Sequence, residues 1–432
     1  MHLAERGYFL IALTAVLAIT GAWSGDPGME WAWCWPAALL CAGLAIEAWL
    51  TPHVQILAEI RFEQRLLLGR VTTASFSLRH DLPRTLTVQY ARLLPAALAG
   101  DAKVTDRKIP ASAEASERWR VRPVRLGPAA CEPLPARVLG RLGLAWWSRT
   151  LPLPVSFNVA PDSLYGVRAR TAGDVRGDAV RAAPGHGREL FQLRDYVPGD
   201  PLSRIDWKAS ARARALIARD MSEDQHLEIV VVVDAGRMSK MRVGELDRLG
   251  VYANIAARFA EHAARLDDRV GLVAYADRVL ARCPPGRGLV GVRRVRDTLE
   301  QLVSERTESQ PAVAAQAVLQ MLRSRSLVVW LTDLGDPLMI GALQAATALL
   351  LPRHVVICAG LDSSALLALA ERPAQNWRDP WIALAARAES DRIARQTGVL
   401  AGAGAAVVIA EERHLEQAVL SAYRQRRRQR RV

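Results

Sequence analysis

Between Phe191 and Arg212 the chain reads FQLRDYVPGDPLSRIDWKASAR, which sets Arg194, Asp195, Asp200, Arg204, Asp206, Lys208 and Arg212 around Tyr196, Trp207 and a Pro198-Gly199 turn. Two chemistries suit this pattern. Asp200 and Asp206 are spaced to act as a general acid and base, with Lys208 as a partner of lowered pKa. Alternatively, bidentate Arg-carboxylate pairs lock the segment's geometry, because the guanidinium fork fixes orientation as well as charge. No histidine lies inside the segment to activate a nucleophile: His186 precedes it and His226 follows it. The chain also lacks a G-x-x-x-x-G-K-[ST] phosphate loop. Structural docking is therefore preferred to catalysis, with Trp207 as the hydrophobic anchor against the domain that follows.

That domain opens with an apolar strand, Leu227 to Val233, ending in Asp234. LEIVVVVD, RVGLVAYA, SLVVWLTD, RHVVICAG and AAVVIA are short continuous apolar runs, the pattern of parallel strands buried on both faces. Between them amphipathic stretches predict helices over Glu245 to Leu266, Val290 to Val303, Val313 to Leu322, Met339 to Leu350 and Pro380 to Thr397. Such alternation predicts an α/β, doubly wound parallel sheet whose ligand crevice lies at the carboxyl ends of the strands. Asp234 and Asp333 fall at such ends.

Upstream, Val54 to about Ala160 carries β-branched and aromatic residues in partial alternation. RVTTASFSLRH, RTLTVQYARLL, RWRVRPVRLG and LPLPVSFNVAPD predict a small antiparallel sandwich. At least one of Trp146 and Trp147 is expected in its core. The chain itself opens with two apolar runs, GYFLIALTAVLAITGAW and Trp31 to Leu50, each near the length that spans a bilayer. Arg6 precedes the first run, Arg61, Arg65 and Arg70 follow the second, and the connecting SGDPGME has no Lys or Arg. The positive-inside bias then places both termini and the bulk of the chain in the cytoplasm, with Trp23, Trp31, Trp33 and Trp35 as an interfacial belt. Glu47 is expected at the inner interface.

The formal net charge is +13, and only four basic residues are lysine (103, 108, 208 and 240). This excess suits an anionic membrane surface, so the lipid bilayer is an expected partner and specific nucleic acid is not. The terminal RQRRRQRR reads as a solvated or lipid-facing tail, with nothing aromatic to read bases. Five scattered cysteines offer neither a disulfide framework nor a zinc site. The expected organisation is a membrane hairpin (1–53), a β-rich domain (54–160), a linker (161–185), the signature segment (186–225), the α/β domain (226–412) and a basic C-terminal helix or tail (413–432).

The signature segment, running into an apolar strand that ends in aspartate, resembles the bacterial membrane-protein family known as DUF58, in which this motif leads into a von Willebrand factor A-like domain. RLGLAWWSR resembles a turn of that family's β-rich domain. The resemblance implies an inner-membrane protein, not an enzyme, that works with a MoxR-type AAA+ ATPase in protein-complex assembly or envelope functions. The contact surface it implies is the crevice edge near Asp234, Met238 and Asp333. It also implies a divalent-ion motif: Asp-x-Ser-x-Ser after the first strand, a later loop Thr, and an Asp after the fourth strand. Here Asp234 and Asp333 match, and Thr307 is a candidate loop hydroxyl among several that SERTESQ offers. Gly236 and Met238 stand at the two Ser positions, and Ser239 comes one residue late, a rotation of about 100° on a helical turn. Mg²⁺ or another divalent ion is thus left with a degraded site. No resident cofactor is expected. The competing reading is a metal-dependent hydrolase built on the signature or strand-end carboxylates.

Overall fold

Two apolar helices open the chain, α1 (Glu5–Ser24) and α2 (Cys34–Leu50). Both are long and apolar enough to cross a membrane, the second counted from Gly28 to Leu50. The structure, a computed structural model, describes residues 1–24, 27–51, 54–101, 103–111, 113–163, 184–222, 226–362 and 364–429. It forms two compact units, Met1–Ala160 and Pro161–Val432. Most of the expected linker (164–183), the side chain of Phe191 and the last three residues lie outside the described residues.

In the first unit the helices are followed by antiparallel sheets. One has the strand order His2–Leu3, Ala145–Leu151, Leu134–Leu139, Leu86–Ala91, Val104–Ile109. Another runs Ile56–Phe62, Thr72–His80, Glu114–Pro123, Leu98–Ala99. Alternate residues of both sheets share one apolar core, including Phe76, Leu78, Val88, Tyr90, Trp119 and Val138. Phe76 and Trp119 stack at 4.3 Å between ring centroids. Trp146 and Trp147 are both only half-buried, which corrects the core expectation. They lie on a strand whose outer neighbour is the two-residue N-terminal strand.

Glu47 is not at a water interface. It is fully buried, and its carboxylate accepts hydrogen bonds from the backbone N–H of Leu142 (2.7 Å), Leu144 (3.2 Å) and Ala145 (3.1 Å). The Trp147 indole N–H donates to it at 3.4 Å. The loop between two strands thus forms an amide nest around an acid from α2. α1 meets the same loop at Gly7, where a Cβ would stand 2.4 Å from the Leu144 carbonyl oxygen.

The second unit begins with the signature segment. It is an antiparallel hairpin of Pro184–Asp195 and Ile217–Ser222, with the short helix α3 (Trp207–Ala213) between them. A six-stranded sheet follows: β1 (Glu228–Asp234), β2 (Arg269–Tyr275), β3 (Val279–Arg287), β4 (Leu327–Leu331), β5 (Val355–Leu361) and β6 (Ala406–Ala410), in the order β3-β2-β1-β4-β5-β6. All neighbours pair in parallel except β3, an antiparallel edge strand. The sequence reading missed β3 because RCPPGR looks like a loop. Proline cannot donate to a ladder and is tolerated only at an edge or bulge, and the pairing shifts register there, between Val270 and Leu272.

The longer helices are α4 (Arg248–Arg265), α5 (Gly288–Leu299), α6 (Pro311–Met321), α7 (Pro337–Leu350), α8 (Asp379–Gly402) and α9 (Glu412–Gln429). Ile229 to Val233 are all buried, so β1 is covered on both faces. One layer packs Val230, Val232, Val328 and Trp330 against Ala314, Val318, Leu343 and Ala346 of α6 and α7. The basic end of the chain is not simply a tail. Leu415, Val419 and Tyr423 form the buried stripe of α9. The Tyr423 hydroxyl donates to the buried Asp268, and Arg427 pairs with the same carboxylate at 3.2 Å.

Candidate functional site

Strand order reverses between β1 and β4, so the crevice of this sheet lies outside their carboxyl ends. Asp234 closes β1 there and is 4% exposed. Its Oδ1 accepts from the Gly236 amide at 2.9 Å and the Ser309 hydroxyl at 2.5 Å. Its Oδ2 accepts from the Thr332 hydroxyl at 2.7 Å and, more loosely, from Tyr275 at 3.5 Å. Tyr275 in turn accepts from the Trp330 indole N–H at 3.0 Å. Burial pushes the Asp234 pKa up, and Asp333 adds to that; Ser309, Gly236 and Thr332 pull it back.

The loop bearing Ser309 is pinned over the strand ends. Glu305 N–H donates to the Ala235 carbonyl, Arg237 N–H to the Thr307 carbonyl, and Gln310 N–H to the Ala276 carbonyl. Gly236 fits beneath it only because it has no side chain. A Cβ there would stand 2.0 Å from Ser309 Oγ and 3.1 Å from the Thr307 carbonyl oxygen. The missing motif serine at 236 and the hydroxyl of Ser309 therefore compete for one space, and Ser309 occupies it.

Asp333 follows β4. Its Oδ1 accepts from the Gly335 amide at 3.0 Å, and its Oδ2 pairs with the guanidinium of Arg248. Both partners are largely buried, with side chains 13% and 11% exposed. Arg248 is the first residue of α4, whose N-terminus is capped by Asp247 through the Gly250 amide at 2.8 Å. Tyr252, one turn on, donates to the Thr332 carbonyl at 2.9 Å and fixes α4 against the crevice.

These residues do not fit a divalent ion. Asp234 has both oxygens engaged and Asp333 already faces a cation. Gly236 and Met238 bring no side-chain oxygen. The Ser239 hydroxyl turns back to donate to the Asp234 backbone carbonyl at 2.7 Å, so this candidate ligand is a turn residue. The Ser309 and Thr332 hydroxyls are already turned onto Asp234, so Thr307, buried and without a hydrogen-bond partner, leaves one uncommitted neutral oxygen, too few for an octahedron. Among the described residues no group of three or more His, Cys, Asp or Glu side chains is placed to hold a metal.

The signature residues come together differently from the expected docking network. Arg194 spans the hairpin as a fork: its two terminal nitrogens donate to Asp200 at 2.7 and 2.9 Å, and its Nε donates to Asp220 at 3.1 Å. Asp220 has no signal in the segment's own pattern, being 26 residues further on. The Arg194 contacts, joined by the Val197 amide, bring the Asp200 pKa down to about 2. Asp200 also closes the Pro198-Gly199 turn, its N–H donating to the Val197 carbonyl at 3.0 Å, with Gly199 at φ +114°.

Asp206 is the N-cap of α3, accepting from Lys208 N–H and Ala209 N–H, both at 3.0 Å. The Ala209 amide is the main reason its pKa is lowered. A general acid at neutral pH needs a raised pKa, so these carboxylates are tuned the wrong way for that role. Lys208 and Arg212 are exposed and pair with neither carboxylate.

Trp207 overturns its expected role as a buried anchor, since it is 65% exposed. The buried residues here are instead Ile205 and Ala218, which bridge the two halves of the segment. Tyr196 is half-buried, its N–H donating to the Leu216 carbonyl at 2.9 Å. Val197, Leu202 and Leu216 stand exposed on the same ion-paired frame.

Residues 192–365, from the signature hairpin through β5, match the family described as "Protein of unknown function DUF58". Relatives include the uncharacterized protein Rv1480 of Mycobacterium tuberculosis (strain H37Rv) and the uncharacterized protein Mb1516 of Mycobacterium bovis. Each is 26% identical over 180 residues, which is 40% of this chain. The matched region spans only 55% of each relative's length. A crystal structure titled as an uncharacterized membrane spanning protein from Vibrio fischeri aligns with 46% of the chain and 98% of its own, at 16% identity and a TM-score of 0.18.

Proposed function

We propose that this chain is a membrane-anchored interaction protein that presents its signature hairpin to a protein partner. The observation that carries the reading is the exposure of Trp207 on a frame held by the Arg194 fork. A solvent-exposed tryptophan on a segment that also exposes Val197, Leu202 and charged side chains has the composition of a binding hot spot. The carboxylates that a hydrolase would need are engaged in capping and ion pairs, which argues against the catalytic alternative. Arg427 and Tyr423 are engaged within the fold, which leaves fewer arginines for nucleic acid.

The strand order, with an antiparallel β3 and a crevice at the β1–β4 switch point, supports a doubly wound sheet of the von Willebrand factor A-like kind. By the family resemblance, the partner is a MoxR-type AAA+ ATPase and the setting is protein-complex assembly or envelope function. The bias of Arg6, Arg61, Arg65 and Arg70 supports an inner-membrane protein with both termini in the cytoplasm. Met238 is half-buried at the crevice edge, so the hairpin, rather than that edge, is the main docking surface. The test is binding of the full chain to the ATPase. Trp207→Ala should weaken it by about thirtyfold or more while leaving the fold intact, and unchanged binding would reject the hairpin as the contact.

A further inference from the structure

The strand-end crevice contains a cation that belongs to the chain. Arg248 comes from the first turn of α4, is 13% exposed, and pairs with Asp333 at the end of β4. The guanidinium cannot be deprotonated in a protein, so its charge is permanent. Four further residues agree with this. Gly236 and Met238 remove two oxygen donors, and Ser239 is turned onto a backbone carbonyl. Ser309 fills the space beside Gly236 and donates to Asp234 from a different loop. Each of these weakens an ion site without abolishing it. Together they leave a crevice in which every carboxylate oxygen already has a partner from the chain itself.

We infer that Arg248 is the resident cation of the strand-end site, which holds Asp333 in place and closes the crevice to divalent ions. The crevice then keeps its shape at any metal concentration, and chelators leave it unaltered. Removing the guanidinium should leave Asp333 without its cation beside Asp234.

The test uses the full chain in detergent with Mn²⁺ alone as the probe, followed by the electron paramagnetic resonance of the free ion. Wild type should leave the free-ion signal as in buffer. Arg248→Ala should take up Mn²⁺ saturably at one site, and adding Asp333→Asn should remove that site. Millimolar guanidinium should raise the melting temperature of Arg248→Ala and leave that of wild type unchanged. Saturable Mn²⁺ uptake by wild type that is lost in Asp333→Asn would overturn the inference. So would a folded Arg248→Ala that gains neither Mn²⁺ uptake nor guanidinium rescue. Should Arg248→Ala fail to fold, Arg248→Gln takes its place under the same criteria, with Arg248→Lys expected to remain closed to Mn²⁺.

Discussion

Gly236 and Ser309 contend for one space, and exchanging them should show it. In Gly236→Ser the new Cβ would stand 2.0 Å from Ser309 Oγ, so the Ser309 loop must move. Overpacking of this kind costs about 1–3 kcal/mol. Ser309→Ala removes a donor from the buried Asp234 carboxylate, which costs about 1–3 kcal/mol. If the two effects were independent, the double variant would lose their sum, roughly 2–6 kcal/mol. The geometry predicts otherwise: the serine introduced at 236 enters the volume vacated at 309 and can donate to Asp234 in its place. The double variant should therefore fall short of the sum by about 0.5–3 kcal/mol, the range of coupling between residues in contact. Hydrogen exchange of the β1 amides in the full chain reads this locally, because β1 ends at Asp234. Additive losses would refute shared occupancy and return Gly236 to an ordinary turn residue.

Arg194→Lys keeps the charge and loses the fork, so the Asp200 pKa should rise from about 2 toward its ordinary 3.8, as read by carboxyl NMR titration. The Asp200 contribution to stability is complete above the unfolded pKa and disappears as pH falls through the folded one, so the variant should lose hairpin protection at a higher pH. His262 is held to about 4 by burial first and then by Arg424, Arg265 and Arg427, against an ordinary 6.5. A depressed histidine stays neutral in the fold, so stability should decline as pH falls from about 6.5 to about 4, by about 1–2 kcal/mol after discounting for partial exposure. His262→Asn should flatten that slope in thermal unfolding, and an unchanged slope would assign it to other groups. Glu47→Ala leaves the Leu142, Leu144 and Ala145 amides without their acceptor, at a cost on the order of 3 kcal/mol. Limited proteolysis in detergent should then cut between 140 and 145, and continued resistance would show that the nest does not depend on Glu47.

Much of the sheet was legible because the parallel strands are continuous apolar runs, as strands covered on both faces must be. The same reasoning could not see β3, where Pro284 and Pro285 break the pattern and the sheet edge tolerates them. It also could not see the strand Ala145–Leu151, because the adjacent Trp146 and Trp147 are both half-buried and blur the apolar alternation at its start. At the site, Asp234 and Asp333 were placed correctly at strand ends, since the carboxyl end of an apolar run is a local signal. Arg248 carries no such signal, and Ser309 was one of several hydroxyls in SERTESQ that the sequence could not tell apart, because the fold brings it to Asp234 across 75 residues.

Aromatic spacing was misleading at Trp207, because type and spacing mark an aromatic as important without saying which side faces water. The burial of Glu47 was hidden for a related reason. A carboxylate near the end of an apolar run reads as a surface group until the amides that receive it are known.

The most direct test of an interaction role is the affinity of the full chain, embedded in lipid nanodiscs, for a purified MoxR-type AAA+ ATPase. Wild type should bind saturably. Trp207→Ala should weaken binding by about thirtyfold or more, the loss of one hot-spot side chain worth about 2 kcal/mol. Its melting temperature should not change, since the side chain is 65% exposed. No binding by wild type, or equal binding by the variant, would contradict the account.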